Sequence, residues 1–560
     1  MLTTRCVQAT AQRYSRMMHT WPSFRCTRSR YGTRTGTRTP TRAPAFLTAT
    51  LLTAAALLVS ACSSGNPPTS VTGAADVALA ALPQSTPSAL TPYYTQRLHW
   101  HSCGVAGFEC TTMKAPLDYA KPGSGDVHLA VARKSATGTG KPIGSLLVNP
   151  GGPGGSAIGY LQQYAGIGYP AEVRARYDMV AVDPRGVAHS EPVECLDGRR
   201  MDTYTQTDLT PDDQREKAAL VAADKTFAQS CGAHSARLLQ HVSTVEAARD
   251  MDILRAALGD RRLNYVGASY GTFLGATYAG LFPERTGRMV LDGAMDPDLD
   301  ARRLNLDQTA GFETAFQAFS KDCVRHSDCP LGGKGTTPAQ VGDHLKAFFR
   351  KLDAHPISAG DVDGRKLGEA LATTGVIAAM YDEGAWEQLR ESLSSAMREN
   401  DGAGLLALSD SYYERGANGR YSNLMMANAA VNCLDLPPAF TGPAQVEKAL
   451  PEFKKASPVF GEALAWASLN CAYWPVKATG EPHRIEAKGA APIVVVGTTR
   501  DPATPYRWAQ SLARQLSSGH LLTYIGDGHT AYGRGSTCID TAINTYLLHG
   551  TPPTTGKRCS

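Results

Sequence analysis

The stretch Leu263-Asn-Tyr-Val-Gly-Ala-Ser-Tyr-Gly-Thr272 decides the fold of this 560-residue chain. Its apolar start predicts a short strand, and the residues after it predict a helix that ends before Pro283. Between the two elements, residues 267–271 match G-x-S-x-G, a pattern that is weak by itself. At a junction of strand and helix, the pattern is typical of a strained turn that exposes a nucleophilic serine, here Ser269.

Strands and helices alternate on both sides of this stretch. Apolar runs predict further strands at residues 143–148, 178–182, 289–292, 492–496 and 521–525. A capping box at Ser243 and Glu246 predicts the start of another helix, which Gly259 can close. Residues 296–485 are mainly helical in pattern. The fold class is therefore α/β, with a mostly parallel central sheet, helices on both faces and a large helical cap inserted between strands.

Two residues after later strands complete a serine-hydrolase triad. A serine hydroxyl needs a histidine to remove its proton and an acid to orient that histidine. Asp501 follows the strand at 492–496, and His529 follows the strand at 521–525. We predict Ser269 as nucleophile, His529 as general base and acid, and Asp501 as orienting acid. Asp527 is a rival acid, but it lies too near His529 in sequence for the usual geometry.

A glycine-rich loop, Asn149-Pro-Gly-Gly-Pro-Gly-Gly-Ser156, follows the first predicted strand of this set. We predict that the amides of Gly152 and Tyr270 form the oxyanion hole, since backbone donors must await the charge on the scissile carbonyl. The loop lacks the spacing of a phosphate-binding loop. Asp183 and Arg185 predict a structural turn that braces the site.

The first 61 residues predict an export signal. Residues 1–44 carry nine arginines and no acid, and an apolar run follows at 45–59, too short for a comfortable membrane span. Leu58-Val-Ser-Ala-Cys62 resembles the lipobox of bacterial lipoproteins, which makes Cys62 the lipidated first mature residue. The alternative is ordinary signal-peptide cleavage nearby, with Cys62 a free thiol in a secreted protein.

Without this leader, the chain has 47 basic and 51 acidic side chains, and this slightly acidic balance argues against a nucleic-acid partner. Ten cysteines follow Cys62, an even number that suggests disulfides in an exported chain. The working hypothesis pairs them in sequence order: 103–110, 195–231, 323–329, 433–471 and 538–559. Metal binding is the competing use, but the sequence has no CxxC, HExxH or similar cluster, and we predict no metal.

The motifs occur together in one known family. The glycine loop, Asp-Pro-Arg-Gly at 183–186, Val-Leu-Asp-Gly at 290–293, Asp-Pro-Ala-Thr-Pro at 501–505 and Gly-Asp-Gly-His-Thr at 526–530 accompany the serine turn. Residues 95–560 thus resemble the actinobacterial tripeptidyl aminopeptidases, relatives of the proline iminopeptidases that include lipoprotein mycelium-associated proteinases. One departure is Ala188, where many relatives have glycine.

The resemblance implies an α/β-hydrolase that releases short peptides, often tripeptides, from free N-termini and needs no cofactor. The expected partners are peptide or protein substrates and, through the lipid, the outer face of the cell membrane; we expect a monomer. The predicted division is a signal peptide at 1–61, lipidated cysteine and linker at 62–95, catalytic core at 96–295, helical cap at 296–485 and second part of the core at 486–560.

An exopeptidase of this kind must bind the ammonium group of its substrate, and a buried carboxylate is the natural partner. Asp435, in Asn-Cys-Leu-Asp, resembles a recurrent family motif and is the first candidate; a helix N-cap or cap-surface aspartate is the competing interpretation. Glu313 is a further candidate. Two other functions stay open: a carboxylesterase with the same triad, and a surface peptide-binding lipoprotein with a vestigial site.

Overall fold

The computed structural model describes residues 77–360 and 364–560, and these residues belong to one compact unit. The predicted signal peptide and the predicted lipid anchor at Cys62 lie outside the described residues. Within the described part of the chain, no helix has both the length and the apolar character that crossing a bilayer requires.

A ten-stranded sheet forms the centre of the molecule, in the spatial order β1-β2-β3-β5-β4-β6-β7-β10-β11-β12. In chain order the strands are β1 (His101–Ser102), β2 (Glu109–Pro116), β3 (Asp126–Lys134), β4 (Gly144–Asn149), β5 (Tyr177–Val182), β6 (Leu263–Ala268), β7 (Thr286–Asp292), β8 (Ile357–Ser358), β9 (Lys366–Leu367), β10 (Ile493–Arg500), β11 (Gly519–Asp527) and β12 (Lys557–Cys559). Neighbours from β5 through β12 are parallel, and the pairs from β1 to β5 are antiparallel. The mostly parallel sheet agrees with the prediction.

Helices occupy the connections. In chain order the α-helices are α1 (Thr91–Tyr94), α2 (Ala157–Tyr160), α3 (Gly166–Gly168), α4 (Ala171–Arg174), α5 (Gly198–Thr205), α6 (Gln214–Leu239), α7 (Thr244–Ala257), α8 (Tyr270–Leu281), α9 (Ala301–Cys323), α10 (Pro338–Ala354), α11 (Glu369–Met380), α12 (Trp386–Ser394), α13 (Ala403–Tyr412), α14 (Leu424–Asp435), α15 (Pro443–Ala456), α16 (Gly461–Ala467), α17 (Tyr506–Gln515) and α18 (Thr537–His549). Single turns of 3₁₀ helix lie at Ser88–Leu90, Pro283–Arg285, Glu383–Ala385 and Asn470–Tyr473, and π turns at Leu161–Ala165 and Ser395–Glu399.

Successive residues of the central strands face opposite sides of the sheet. In β4, Leu147 packs into the core that contains Met251 of α7, whereas Leu146 and Val148 pack into the core that contains Leu547 of α18. Both faces are therefore covered by helices, which explains why these strands are apolar at nearly every position. Ser243 is the N-cap residue of α7, where the helix was predicted to start, and its side chain accepts a hydrogen bond from the Glu246 amide.

The chain between β7 and β10 forms the cap, from α9 to α16. It has an apolar core of its own, in which Phe312, Phe316 and Phe319 share the buried face that their spacing predicts. The only strands of the cap within the described residues are β8 and β9, a two-stranded antiparallel pair. The predicted fold class, a sheet with an inserted helical cap, is confirmed.

Five disulfides join the ten cysteines in the predicted order. They are Cys103–Cys110, Cys195–Cys231, Cys323–Cys329, Cys433–Cys471 and Cys538–Cys559. Each closes a local segment, with 6 to 38 positions between partners, so the pairing could be proposed from sequence order.

Strand register brings the ends of five strands to one edge of the sheet, since Arg500 at the end of β10 also pairs with Asp527 at the end of β11. Asn149 pairs with Gly267, and Ala268 pairs with Asp292. Asp292 pairs in turn with Val496 of β10. The loops that follow β4, β6, β7, β10 and β11 therefore leave from the same edge, which is where parallel sheets build their sites.

Candidate active site

The turn between β6 and α8 holds Ser269 in the backbone conformation that a nucleophile turn requires. Ser269 has φ 57° and ψ −126°, its N–H donates to the Asp292 carbonyl (2.9 Å), and its carbonyl accepts from Thr272 Oγ1 (2.6 Å). A Cβ at Gly267 would lie 2.3 Å from the Gly271 carbonyl oxygen, so a side chain there could not be accommodated. The G-x-S-x-G pattern therefore has the steric cause expected from sequence.

Asp501 lies in a loop that supplies its own hydrogen bonds. The carboxyl is buried, and Oδ1 accepts from the amides of Ala503 (3.0 Å) and Thr504 (2.8 Å). Oδ2 accepts from the amide of Thr530 (3.2 Å). These donors fix the carboxylate beside the imidazole of His529.

His529 faces this carboxylate with Nδ1, which lies 2.9 Å from each Asp501 oxygen. A carboxylate partner makes Nδ1 the donor, which leaves the lone pair on Nε2. Nε2 is buried, and no residue of the described chain hydrogen-bonds to it. The histidine is thus oriented with a free basic nitrogen, as a general base requires.

Asp292 links the serine turn to the histidine loop. Its carbonyl accepts from Ser269, and its buried carboxyl accepts from the amides of Ala531 (3.0 Å) and Tyr532 (2.9 Å). In the sequence, Asp292 is visible as part of a motif at a strand end, but its link to the histidine loop is not. The three predicted triad residues therefore share one edge and one network.

The rival acid, Asp527, has a different partner. Arg500 donates to both of its oxygens, Nε to Oδ1 and Nη2 to Oδ2, each at 2.5 Å. Both oxygens of Asp527 are therefore paired with Arg500, and the Nδ1 atom of His529 already faces Asp501.

The glycine loop lies against the serine turn. The Tyr270 amide is at the first position of α8, where helical N–H groups lack intrahelical acceptors. Gly152 is exposed, and no group of the described residues accepts from its amide. Gly151 makes the close approach: a Cβ there would lie 2.8 Å from the Tyr270 nitrogen and 2.9 Å from Ser269 Cβ. The two predicted donors thus remain available, and Gly151, which the sequence did not single out, lets the glycine loop approach the serine turn closely.

The segment that holds Asp183 and Arg185 forms the expected turn, in which the Val187 amide donates to the Pro184 carbonyl (2.9 Å), and each of the two side chains has its own structural partners. The buried Arg185 guanidinium donates to both oxygens of Asp250 (2.7 Å each) and to carbonyls of β2 and the loop that follows it. Asp183 accepts from Ser156 Oγ (2.9 Å) and the Ile158 amide (3.0 Å), which braces the glycine loop. Such distant partners leave no local trace in sequence.

Ala188, which departs from the family pattern, lies at a position where the backbone favours glycine. Ala188 has φ 44°, in the left-handed region that favours glycine. Its amide donates to Asn423 Oδ1 (2.8 Å), which ties this loop to the start of α14. The neighbouring His189 places Nδ1 2.8 Å from Asp183 Oδ2, and this hydrogen bond raises the pKa of His189.

A cavity of about 620 Å³ opens beside the glycine loop. Gly154 and Ser156 form one wall, His189 and the Cys195 segment form another, and Met426 of α14 lies between them. Helix α14 crosses the loop closely, since Asn428 Nδ2 donates to the Pro153 carbonyl (3.1 Å). The space is large enough for several residues of a peptide.

Asp435, the first ammonium candidate, lies at the end of α14 against the start of α7. It accepts from the Thr244 amide (2.8 Å) and from the Thr244 hydroxyl, which also contacts the Tyr270 hydroxyl (2.6 Å). Burial raises the pKa of Asp435 to about 7. No cationic side chain of the described residues pairs with it. Its position fits an anchor at the N-terminus of α7, the competing interpretation, and also leaves a half-buried carboxyl without a counter-ion.

Glu313, the other candidate, is not brought to the triad. Its oxygens accept from Ser457 Oγ (2.7 Å) and Gln317 Nε2 (3.2 Å), both within the cap. The face of α9 that meets the catalytic loop is instead marked by Gly311, whose Cβ would lie 2.4 Å from the Pro502 carbonyl oxygen. Helical periodicity turns Glu313 away from that face.

The cap contacts the histidine loop through residues that sequence analysis missed. The His529 amide donates to the Tyr381 carbonyl (2.8 Å), and the His529 carbonyl accepts from Arg534 Nη1 (2.6 Å). Arg534 Nη2 also donates to Asp382 Oδ1 (2.7 Å) of the cap. Some 150 positions separate these partners, so no sequence pattern could have indicated them.

Among the described residues, two groups of side chains have oxygen and nitrogen atoms close enough to share a cation: Asp118, His241 and Glu246, and Asp208, Asp353 and Glu369. Neither group contains a triad residue, and Glu246 already lies 3.5 Å from the Arg185 guanidinium.

Comparison with known proteins adds relatives of known description. A family model described as TAP-like protein matches residues 457–559. The serine protease Hip1 of Mycobacterium tuberculosis is 38% identical over 494 residues, 84% of this chain and 92% of that protein. Carboxylesterase B of the same species is 37% identical over 489 residues, 85% and 92% of the two chains. The tripeptidyl aminopeptidase of Streptomyces coelicolor is 32% identical over 475 residues, 81% and 84% of the two chains.

Proposed function

Because this chain belongs to the tripeptidyl-aminopeptidase-like family of serine hydrolases, we propose that it is an exopeptidase that releases short peptides, tripeptides above all, from free N-termini. The observation that carries the proposal is the pairing of His529 Nδ1 with both oxygens of Asp501, at the edge where Ser269 ends β6. This pairing leaves Nε2 free to take a proton.

The reaction follows from these positions. Ser269 Oγ attacks the scissile carbonyl carbon while His529 Nε2 takes the hydroxyl proton, and the amides of Gly152 and Tyr270 stabilise the oxyanion. His529 then gives the proton to the leaving amine, and the C–N bond breaks to leave an acyl-enzyme. A water molecule, deprotonated by the same nitrogen, hydrolyses the ester and restores Ser269.

Recognition of the free N-terminus is assigned to Asp435. A half-buried carboxyl without a cationic partner favours a substrate ammonium, and Thr244 and the Tyr270 hydroxyl connect it to the nucleophile turn. Asp435→Asn should raise KM for a free tripeptide amide and leave KM for its acetylated form unchanged. An equal KM for the free amide in the variant and the wild type would leave Asp435 with the role of a helix anchor.

A second candidate function is carboxylester hydrolysis, which the relative named carboxylesterase B favours. One assay separates the two: a tripeptidyl chromogenic amide, free or acetylated, beside a short-chain ester, with Ser269→Ala as control. We expect rapid cleavage of the free amide alone. Equal cleavage of the acetylated amide would contradict the exopeptidase, ester turnover without amide cleavage would favour the esterase, and activity in Ser269→Ala would overturn the mechanism.

We also propose export and anchoring through lipidated Cys62, with the enzyme acting as a monomer on the outer face of the membrane. The arginine-rich start, the short apolar run and the lipobox-like Leu58-Val-Ser-Ala-Cys62 support this. Cys62→Ala should move the protein from the membrane fraction to the medium. Mass spectrometry of the mature N-terminus should find diacylglycerol on Cys62; an unmodified residue would favour the secreted form.

A further inference from the structure

The catalytic histidine is held at both of its backbone polar groups. The His529 amide donates to Tyr381 O, and the His529 carbonyl accepts from Arg534, whose other nitrogen donates to Asp382. Tyr381 and Asp382 follow directly after α11 of the cap, whereas Arg534 belongs to the core. We call these three residues the histidine clamp.

The clamp also controls the space around the imidazole. The Arg534 guanidinium covers Gly528, where a Cβ would lie 2.5 Å from Arg534 Nη1. The Tyr381 ring meets the imidazole edge to face, with centroids 5.5 Å apart and an interplanar angle of 85°. Tyr381 is itself packed against Phe312 and Tyr412 of the cap. The ring that must move a proton is thus bounded by Asp501 on one side and by the cap on another.

We propose that Arg534 is a positioning residue for His529 and that Asp382 couples it to the cap, so the general base is correctly placed only while this part of the cap is docked. Displacement of a catalytic group by about 1 Å can cost roughly 100-fold in rate. Loss of Arg534 frees the His529 carbonyl, and loss of the Asp382 charge frees the guanidinium. Both changes act through His529 and touch no substrate.

The chain offers a matched control pair that also joins the cap to the core. Lys217 of α6 and Glu447 of α15 lie 2.8 Å apart with side-chain exposures of 23% and 44%. Arg534 and Asp382 lie 2.7 Å apart with exposures of 21% and 50%. The two ion pairs differ in one respect that matters here: only Arg534 also binds the backbone of a triad residue.

The proposal rests on the proposed triad but not on the preference for peptides, so the test uses a fluorophosphonate probe. Ser269 Oγ bonds to phosphorus, fluoride leaves, and the hydroxyl proton goes to His529, so the labelling rate reports how well the base is placed. The variants are Arg534→Ala, Arg534→Lys, Asp382→Asn and Glu447→Gln, with Ser269→Ala as the unlabelled control. Turnover of a short-chain ester gives kcat and KM in parallel.

We expect Arg534→Ala to lower the labelling rate and kcat by about 10- to 100-fold with KM within about twofold, because the clamp orients the base and not the substrate. Asp382→Asn should cost about three- to tenfold, Arg534→Lys should recover part of the loss, and Glu447→Gln should stay within about twofold of wild type. Guanidinium ion at non-denaturing concentration should partly restore Arg534→Ala, which a global loss of structure would prevent.

Wild-type labelling in Arg534→Ala and Asp382→Asn, with none in Ser269→Ala, would overturn the clamp alone. Equal losses in Glu447→Gln and Asp382→Asn would also overturn it, since the effect would then be general weakening of the cap. Labelling that persists in Ser269→Ala would overturn the triad and the clamp together. If Arg534→Ala does not fold, Asp382→Asn and Arg534→Lys decide by the same criteria.

Discussion

The loop that carries Asp501 and the loop that carries His529 meet through the Asp501 carboxylate, which binds the His529 ring and the Thr530 amide, yet the two loops are held in different ways. Asp501 receives two of its donors, the amides of Ala503 and Thr504, from its own loop. His529 is fastened through Tyr381 of the cap and through Arg534, which binds Asp382 of the cap. One half of the acid–base pair is therefore formed locally, and the other half depends on a distant part of the chain.

The largest effect should come from the locally held half. Asp501→Asn keeps the shape of the side chain but removes the carboxylate that fixes the His529 tautomer, so kcat should fall by about 10⁴-fold. Steady-state kinetics on the preferred substrate measure the loss, and circular dichroism checks that the fold is unchanged. A loss below tenfold would mean that the clamp alone orients the histidine, and the comparison between the loops would fail.

A slightly smaller loss is expected at the glycine loop. Gly151→Ala would bring Cβ to 2.8 Å from the Tyr270 nitrogen, so the loop must move away from the nucleophile turn. Loss of an oxyanion donor costs about 10²–10³ in kcat. Gly140→Ala is the control, since nothing lies within 4 Å of its Cβ position. Similar kcat values in the two variants would exclude Gly151 from a role in forming the oxyanion hole.

The fastening of the cap at Asp435 should show in the pH dependence of stability. Its folded pKa, raised to about 7 by burial, exceeds the unfolded value of about 3.9. The folded state binds the proton more tightly, so this contribution to stability is present below about pH 4 and is lost as the pH rises to about 7. Asp435→Asn should therefore gain up to about 4 kcal/mol relative to wild type between pH 4 and pH 8.

Denaturant unfolding at several pH values measures this difference. A difference in unfolding free energy between Asp435→Asn and wild type that stays constant across that range would mean that the pKa of Asp435 is the same in the folded and unfolded states. The other acids whose pKa burial raises to about 7, Asp224 and Glu369, are present in both proteins and cancel in the comparison.

The smallest effect on catalysis is expected where the cap touches the acid loop. Gly311→Ala would place Cβ 2.4 Å from the Pro502 carbonyl oxygen, and the helix must shift by a fraction of an ångström. Because the loop keeps its own hydrogen bonds, kcat should stay within about threefold while stability falls by about 1–2 kcal/mol. Gly342→Ala, on another cap helix, controls for the helix. A loss of kcat as large as that of Arg534→Ala would show that both loops depend on the cap.

The comparison of the two loops also explains which features of the fold and the site could be predicted from the sequence. Ser269, Asp501 and His529 could be predicted because each follows a strand at a recognisable local pattern, and parallel strands bring such ends to one edge. Neighbouring cysteines could be paired because their disulfides close short segments. The fold class followed from the alternation of strands and helices around a long helical stretch.

What could not be predicted is held by long-range contacts. Arg185 binds Asp250 and backbone carbonyls, and these contacts depend on how β2 and α7 meet. Tyr381 lies in the inserted cap and Arg534 in the core that follows it, so the two give no periodic pattern. The carboxyl of Glu313 was placed near a site by residue type alone, and the rotation of α9 directs it to Ser457.

The short strands at the two edges of the sheet have a consequence for the tendency of this protein to aggregate. β1 has two residues and β12 has three, and Lys557 and Arg558 are exposed on the latter. Disulfides Cys103–Cys110 and Cys538–Cys559 lie at these same edges. Long flat edges are templates on which strands of other molecules add, whereas short and charged ones oppose such growth. The short edge strands thereby oppose strand addition, and so aggregation, at both open edges of the wide sheet.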